Sequence, residues 1–119
     1  MARSHCLLHA CVGVFISDPY FENSFGDTGF RADFQDGSNQ VRHFVGWFAA
    51  GFLVTPAVAK NRLYNSEGTN SVLNPDVALG LLAIDLGSSF NGNAKQLAQD
   101  IWHKACGETS NLRYLDDLP

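Results

Sequence analysis

Two segments of this 119-residue chain, 38–54 and 75–87, are apolar on almost every side when they are drawn as helices. A helix without a polar face has to be buried all round, so both predicted helices belong at the centre of the fold. Both also carry small residues one turn apart, which allow two helix backbones to approach closely. These residues are Gly46, Ala50, Ala83 and Gly87.

Capping residues and prolines set the predicted boundaries of the first three helices. Asp36 or Ser38 caps the first helix, which ends before Pro56 because the residue preceding a proline avoids the helical region. Pro56 opens a second, shorter helix that runs to about Tyr64. Pro75 lies at the first position of the third helix, directly after a capping asparagine.

The last predicted helix, 93–106, is amphipathic. Asn93 caps it, its apolar residues recur with the spacing of one helix face, and Gly107 supplies the left-handed stop. The chain is therefore predicted to be mainly α, a compact helical bundle of three to four helices.

The remaining segments are predicted to join the helices in a single domain, 1–119. An irregular, aromatic-rich N-terminal arm, 1–37, packs on the helical core, 38–107, and a C-terminal tail, 108–119, follows. β-branched residues alternate over 12–16, which allows one short strand or hairpin in the arm.

Charge and hydropathy restrict the partners of the domain. The formal net charge is -4 and the sequence pI is about 5.3, so no overall positive field attracts nucleic acid. The longest apolar stretch, Phe44–Val58, is interrupted by Pro56 and is too short to cross a membrane. We expect no nucleic acid and no membrane as partners, but a protein partner or self-association.

The cysteine count bears on the compartment. Cys6, Cys11 and Cys106 are an odd number, which leaves at least one free thiol and favours a reducing compartment. The apolar run 6–16 resembles a signal peptide only faintly, because His9 interrupts it. The sequence therefore predicts a cytoplasmic protein, without excluding secretion.

One set of residues has the composition of a zinc site. Cys6, His9, His103 and Cys106 offer two sulfurs and two imidazoles, but their spacing matches no zinc motif. We expect no metal site and no cofactor, and we expect chelators to leave the stability of the domain unchanged.

Arg42 and His43 are the first candidate site residues, because they lie in the polar first turns of an otherwise apolar helix. Arg42 is a fixed cation, and His43 titrates near neutral pH. Adjacent helical residues point about 100° apart, so we expect both in one pocket only if the helix bends. In the structural alternative Arg42 is solvated and His43 satisfies a buried carbonyl or carboxylate.

Glu67 and Asp85 are the candidate acids. Glu67 falls in the predicted loop 65–71, and a glutamate base with a histidine acid and an arginine clamp suits cleavage of a phosphodiester or glycosidic bond. Asp85 has almost only apolar neighbours in sequence, so we expect it to be partly buried and paired with Arg42 or His43. Alternatively Glu67 is merely solvated, and Asp85 is a structural clamp.

Two classes of function follow. The absence of any specific catalytic motif predicts a small protein-interaction module. The alternative is a small hydrolase in which Arg42 and His43 act with an acidic residue, Glu67 or Asp85. Convergence of these side chains on a concave pocket favours the hydrolase, whereas an exposed apolar patch favours the binding module.

Overall fold

The computed structural model of the protein describes residues 30–36 and 39–106. These ranges form a short 3-10 turn followed by four α-helices, which confirms the predicted mainly α helical bundle. The turn spans Ala32–Phe34, and the helices are α1 (Gln40–Leu53), α2 (Pro56–Glu67), α3 (Pro75–Ser89) and α4 (Ala94–Lys104). None of these helices is long and apolar enough to cross a bilayer.

The predicted caps Asn74 and Asn93 begin α3 and α4, and Thr55, which was not predicted as a cap, begins α2. The side chains of Thr55, Asn74 and Asn93 accept hydrogen bonds from backbone N–H groups in the first turns of α2, α3 and α4. Pro56 and Pro75 lie at the starts of α2 and α3, where a missing N–H costs nothing. Local capping chemistry therefore sets these helix starts.

Two predicted boundaries are wrong. Asp36 does not cap α1, whose N-cap residue is Asn39 and has no side-chain capping bond. The second helix does not end near Tyr64 but continues to Glu67, because Gly68 adopts the left-handed conformation (φ 71°) that closes the helix. Glu67 is consequently the last residue of a helix and not part of a loop.

The helices α1 and α3 pack closely along their length. A Cβ atom on Gly51 would overlap the backbone of Ile84, and one on Gly87 would overlap the backbone of Phe48. This close approach confirms the role predicted for Gly87, and α3 continues through it to Ser89. The role predicted for Gly46 is wrong, since a Cβ atom there would meet nothing within 4 Å.

The helices α1 and α3 run in the same direction. Near their N-termini His43 lies beside Asp76, and nearer their C-termini Gly51 lies against Ile84. The intervening α2 must therefore return along the bundle. As a result the first turns of α1 and α3 and the last turn of α2 meet at one end of the molecule, which we call the N-terminal end of the bundle.

The main apolar core lies between α1, α3 and α4 and includes the described part of the arm. Phe30 and Phe34 are buried in it, and Phe30 pairs with Cys106 in an isolated antiparallel bridge. The Arg31 N–H donates to the Ala105 carbonyl oxygen over 3.0 Å. These contacts attach residues 30–36 to the end of α4. The rest of the arm, with its predicted strand, and the tail 108–119 lie outside the described residues.

Candidate functional site

Three titratable side chains meet at the N-terminal end of the bundle. His43 comes from α1, Glu67 from the end of α2 and Asp76 from the first turn of α3, and one nitrogen or oxygen atom of each lies within 4.8 Å of the others. His43 Nε2 and Asp76 Oδ2 are 3.6 Å apart. We call this group the His43–Glu67–Asp76 cluster.

Local structure fixes the positions of Asp76 and Glu67. Asn74 Oδ1 accepts hydrogen bonds from the backbone N–H groups of Asp76 (2.9 Å) and Val77 (3.2 Å), which fixes the first turn of α3. Gly68 ends α2 directly after Glu67. The site is thus held by two helix ends and does not depend on a long loop.

An open cavity of about 350 Å³ lies beside the cluster. Arg42 and His43 both line it, although they are adjacent in the sequence. The remaining lining residues are Asn39, Gly46, Trp47 and Ser66. Arg42 is exposed and His43 is half-buried, so a ligand in this cavity would meet a cation and an imidazole together.

Asp76 is the buried member of the cluster. Its pKa is raised from 3.8 to about 6, mainly by burial and also by the adjacent Asp36 carboxyl, whereas His43 and a hydrogen bond from Gln40 act in the opposite direction. Asp76 Oδ1 is buried and has no hydrogen-bond partner of acceptable geometry among the described residues. Two ionised carboxylates have no hydrogen to share, so a hydrogen bond between Asp36 and Asp76 requires that one of them is protonated.

The raised pKa of Asp76 makes the stability of the protein depend on pH. The folded protein holds this proton more tightly than the unfolded chain, so the contribution of Asp76 to the free energy of unfolding is fully present below pH 3.8 and is lost as the pH rises through about 6. We expect the stability of the wild type relative to Asp76→Asn to fall between about pH 4 and about pH 7.

Urea unfolding of both proteins across this range, in chelator-treated buffer, measures that difference. The asparagine removes the titration of Asp76 but keeps the shape, so the pH effects of groups that do not interact with Asp76 cancel. A difference that stays constant or rises with pH would contradict the assignment.

The structure brings three of the four predicted site residues together and separates the fourth. Arg42, His43 and Glu67 share the N-terminal end of the bundle. The prediction that Asp85 is buried and paired with Arg42 or His43 is wrong. Its side chain is 62% exposed and lies 3.4 Å from Lys60 Nζ. The apolar neighbours of Asp85 in sequence face the core, while Asp85 itself lies on the solvent side of α3.

The exposure of Asp85 changes the expected effect of its removal. An exposed ion pair contributes about 0–1 kcal/mol, because water and salt screen it. We expect Asp85→Ala to change the free energy of unfolding by less than about 0.5 kcal/mol. Chemical denaturation checks this, and a loss on the order of 3 kcal/mol would instead support a buried pair.

Sequence reasoning missed Asp76 as a site residue. In the sequence Asp76 is distinguished only as an acid at the positive end of a predicted helix. The sequence pattern that could have identified it is that α1 and α3 both begin with polar residues and are apolar afterwards. That signal identifies a site only when the two helices are known to be parallel.

Of the four cysteines and histidines with the composition of a zinc site, only His103 and Cys106 are among the described residues. Cys106 is disulfide-bonded, and its partner cysteine lies outside the described residues. Its sulfur is therefore not a thiolate ligand for zinc. His103 is half-buried on α4, and Cys6 and His9 lie outside the described residues. A disulfide is typical of oxidising compartments and weighs against the predicted cytoplasmic location.

The chain matches no protein-family model, and no curated protein and no solved structure matches it.

Proposed function

We propose that the protein is a small hydrolase that cleaves phosphodiester bonds in the cavity beside the His43–Glu67–Asp76 cluster. The observation that carries this proposal is the convergence of an imidazole and two carboxylates within 4.8 Å, next to a cavity that Arg42 also lines. Imidazole and carboxylate groups orient and deprotonate water. Guanidinium groups bind phosphate oxygens through paired hydrogen bonds.

The charges around the cavity favour a phosphodiester over a glycosidic bond. Arg42 and the N-terminal end of α1, at Asn39, line the cavity and bring positive potential to an anionic substrate.

The proposed reaction is an in-line displacement at phosphorus. The oxygen of a water molecule forms a bond to phosphorus while the bond from phosphorus to the leaving oxygen breaks. The water gives up one proton on the side of the cluster, and the leaving oxygen takes one proton from solvent. Arg42 holds the non-bridging oxygens and compensates their growing charge.

Hydrolysis of bis(4-nitrophenyl) phosphate tests this proposal. We expect His43→Ala to lower kcat/KM by about 100-fold or more, the usual scale for loss of a group that activates the nucleophile. Arg42→Ala should act mainly through KM, because it removes binding of the phosphate. Arg62→Ala is the matched control, since Arg62 is an exposed arginine on α2 that does not line this cavity.

Two results would contradict the hydrolase. One is a wild type that does not cleave the phosphodiester above the buffer rate, with or without added divalent cations. The other is an equal loss of activity in Arg42→Ala and Arg62→Ala. A parallel assay with 4-nitrophenyl glycosides decides between the two bond types, and preferential cleavage of a glycoside would contradict the choice of phosphodiester.

A second candidate function, protein binding, is supported by exposed apolar side chains at the other end of α1. Phe52 is 56% and Leu53 75% exposed. Large exposed apolar groups that lie together are typical of interaction surfaces. If a second copy of the chain is the partner, sedimentation should show a dimer that Leu53→Asp dissociates, and a wild-type monomer would contradict self-association.

A further inference from the structure

We propose that the His43–Glu67–Asp76 cluster binds a divalent transition-metal ion, Zn²⁺ or Mn²⁺, through one imidazole nitrogen and two carboxylate oxygens. This inference deepens the proposed function, because the ion would act in the same cavity. Binding of the ion does not itself depend on hydrolysis, however, and is measured without substrate.

The spacing of the cluster fits coordination better than hydrogen bonding. His43 Nε2 and Asp76 Oδ2 are 3.6 Å apart, which is too long for a hydrogen bond. Metal–ligand bonds of about 2.0–2.2 Å place neighbouring ligand atoms about 3.0–3.5 Å apart. The two atoms are therefore close to the separation that a shared ion requires. All three ligand atoms lie within 4.8 Å, so a small movement of Glu67 at the end of α2 completes the set.

The burial of Asp76 is an independent observation that points to a cation. Asp76 is 8% exposed, and its Oδ1 atom has no hydrogen-bond partner among the described residues. The Asp36 carboxyl lies beside it and adds a second negative charge. A buried carboxylate oxygen without a donor is costly, and two adjacent carboxylates add repulsion. A divalent cation bound at this point compensates both costs.

The ligand set selects the class of ion. Calcium takes six to eight oxygen ligands and magnesium prefers water and oxygen, so an imidazole is a poor ligand for either. A mixture of one nitrogen and two carboxylate oxygens suits Zn²⁺ and Mn²⁺. Three protein ligands leave coordination positions free for water or substrate. One of the ligands, His43, lines the same cavity as Arg42.

The bound ion changes the roles of the side chains in the proposed hydrolysis. His43 and Glu67 then act as ligands instead of acid and base, and water on the ion supplies the nucleophile at neutral pH. The proton of that water leaves to solvent as the bond to phosphorus forms. Cys6, His9, His103 and Cys106, where we expect no metal site, do not belong to this cluster.

Isothermal titration of the chelator-stripped protein with Mn²⁺, Zn²⁺ and Ca²⁺ tests the site directly. We expect one Mn²⁺ or Zn²⁺ ion per chain, and weaker binding of Ca²⁺. Asp76→Asn and Glu67→Gln should each weaken the binding by at least about 10-fold to 100-fold. Asp85→Asn is the matched control, because it makes the same chemical change on the same helix about 13 Å away along α3 and should leave the affinity unchanged.

Each variant is first shown to be folded by its circular dichroism and Tm, and Glu67→Gln at a half-buried position provides a second variant if Asp76→Asn fails to fold. Absence of Mn²⁺ and Zn²⁺ binding would overturn the inference. Unchanged affinity in folded Glu67→Gln and tighter binding of Ca²⁺ would each overturn it as well.

Repeating the hydrolysis assay with EDTA separates this inference from the proposed function. Undiminished cleavage in EDTA would contradict the part of the ion in the reaction and leave the hydrolase in place. Binding of Mn²⁺ or Zn²⁺ with the expected effect of the variants, but without any cleavage of the phosphodiester, would contradict the hydrolase and leave the ion site in place.

Discussion

Gly51→Ala is expected to lower the free energy of unfolding by on the order of 3 kcal/mol. The added methyl group would overlap the carbonyl oxygen and Cα of Ile84, which belong to the backbone of α3. A side chain can rotate away from such an overlap, but a helix backbone inside a packed core moves only as a unit. The two central helices would have to separate, and part of their apolar contact would be lost.

Gly46→Ala is the matched control in the same helix. Gly46 is exposed, and an added Cβ atom meets nothing within 4 Å. Alanine favours a helix over glycine by about 0.8–1.0 kcal/mol, so this substitution should stabilise the protein. Urea unfolding of both variants gives the comparison. Equal effects of the two substitutions would show that α1 and α3 do not approach closely at Gly51.

Leu63→Ala is the second substitution with a large expected effect. Leu63 is fully buried, and its methyl groups occupy the space above Gly80 of α3. Removing a buried leucine side chain costs about 2–5 kcal/mol, through lost transfer energy and the cavity left behind. We expect a loss in this range, because α2 is held on α3 by a small apolar cluster of which Leu63 is a part.

Leu53→Ala removes the same atoms from a side chain that is 75% exposed. It should change stability by no more than about 0.5 kcal/mol. Thermal or urea denaturation measures both variants. A cost for Leu63→Ala no greater than that for Leu53→Ala would contradict the packing of α2 on α3.

The helices were predictable because their signals are local. Asn74 with Pro75 and Asn93 act through the chain next to them, and the structure confirms the helix starts they predict. The end of α2 was not predicted, because the polar composition of residues 65–71 predicts a loop. In the structure Gly68 is the left-handed residue that ends the helix. As a result Glu67, which is predicted to lie in a loop, is the last residue of α2.

The site was predictable only in part, because its geometry depends on contacts that local signals do not encode. Arg42 and His43 stand out as polar residues at the start of an apolar helix. Asp76 becomes a neighbour of His43 only when α1 and α3 are parallel. For Asp85 the sequence predicts burial where the structure shows exposure. Its neighbours in sequence are apolar and face the core, but Asp85 itself lies on the solvent side of the helix.

The return of α2 between two parallel helices ties the site to the length of one helix. The helix α2 has twelve residues and is about 18 Å long. Its length and its helical rotation together place Glu67 beside His43 and Asp76. One inserted residue after Leu63 would rotate Glu67 by about 100° while leaving the buried side of α2 in place. Four inserted residues would nearly restore the phase but carry Glu67 about 6 Å too far. The number of residues between Leu63 and Glu67 therefore fixes both the distance of Glu67 from the apolar core and its direction around the helix axis.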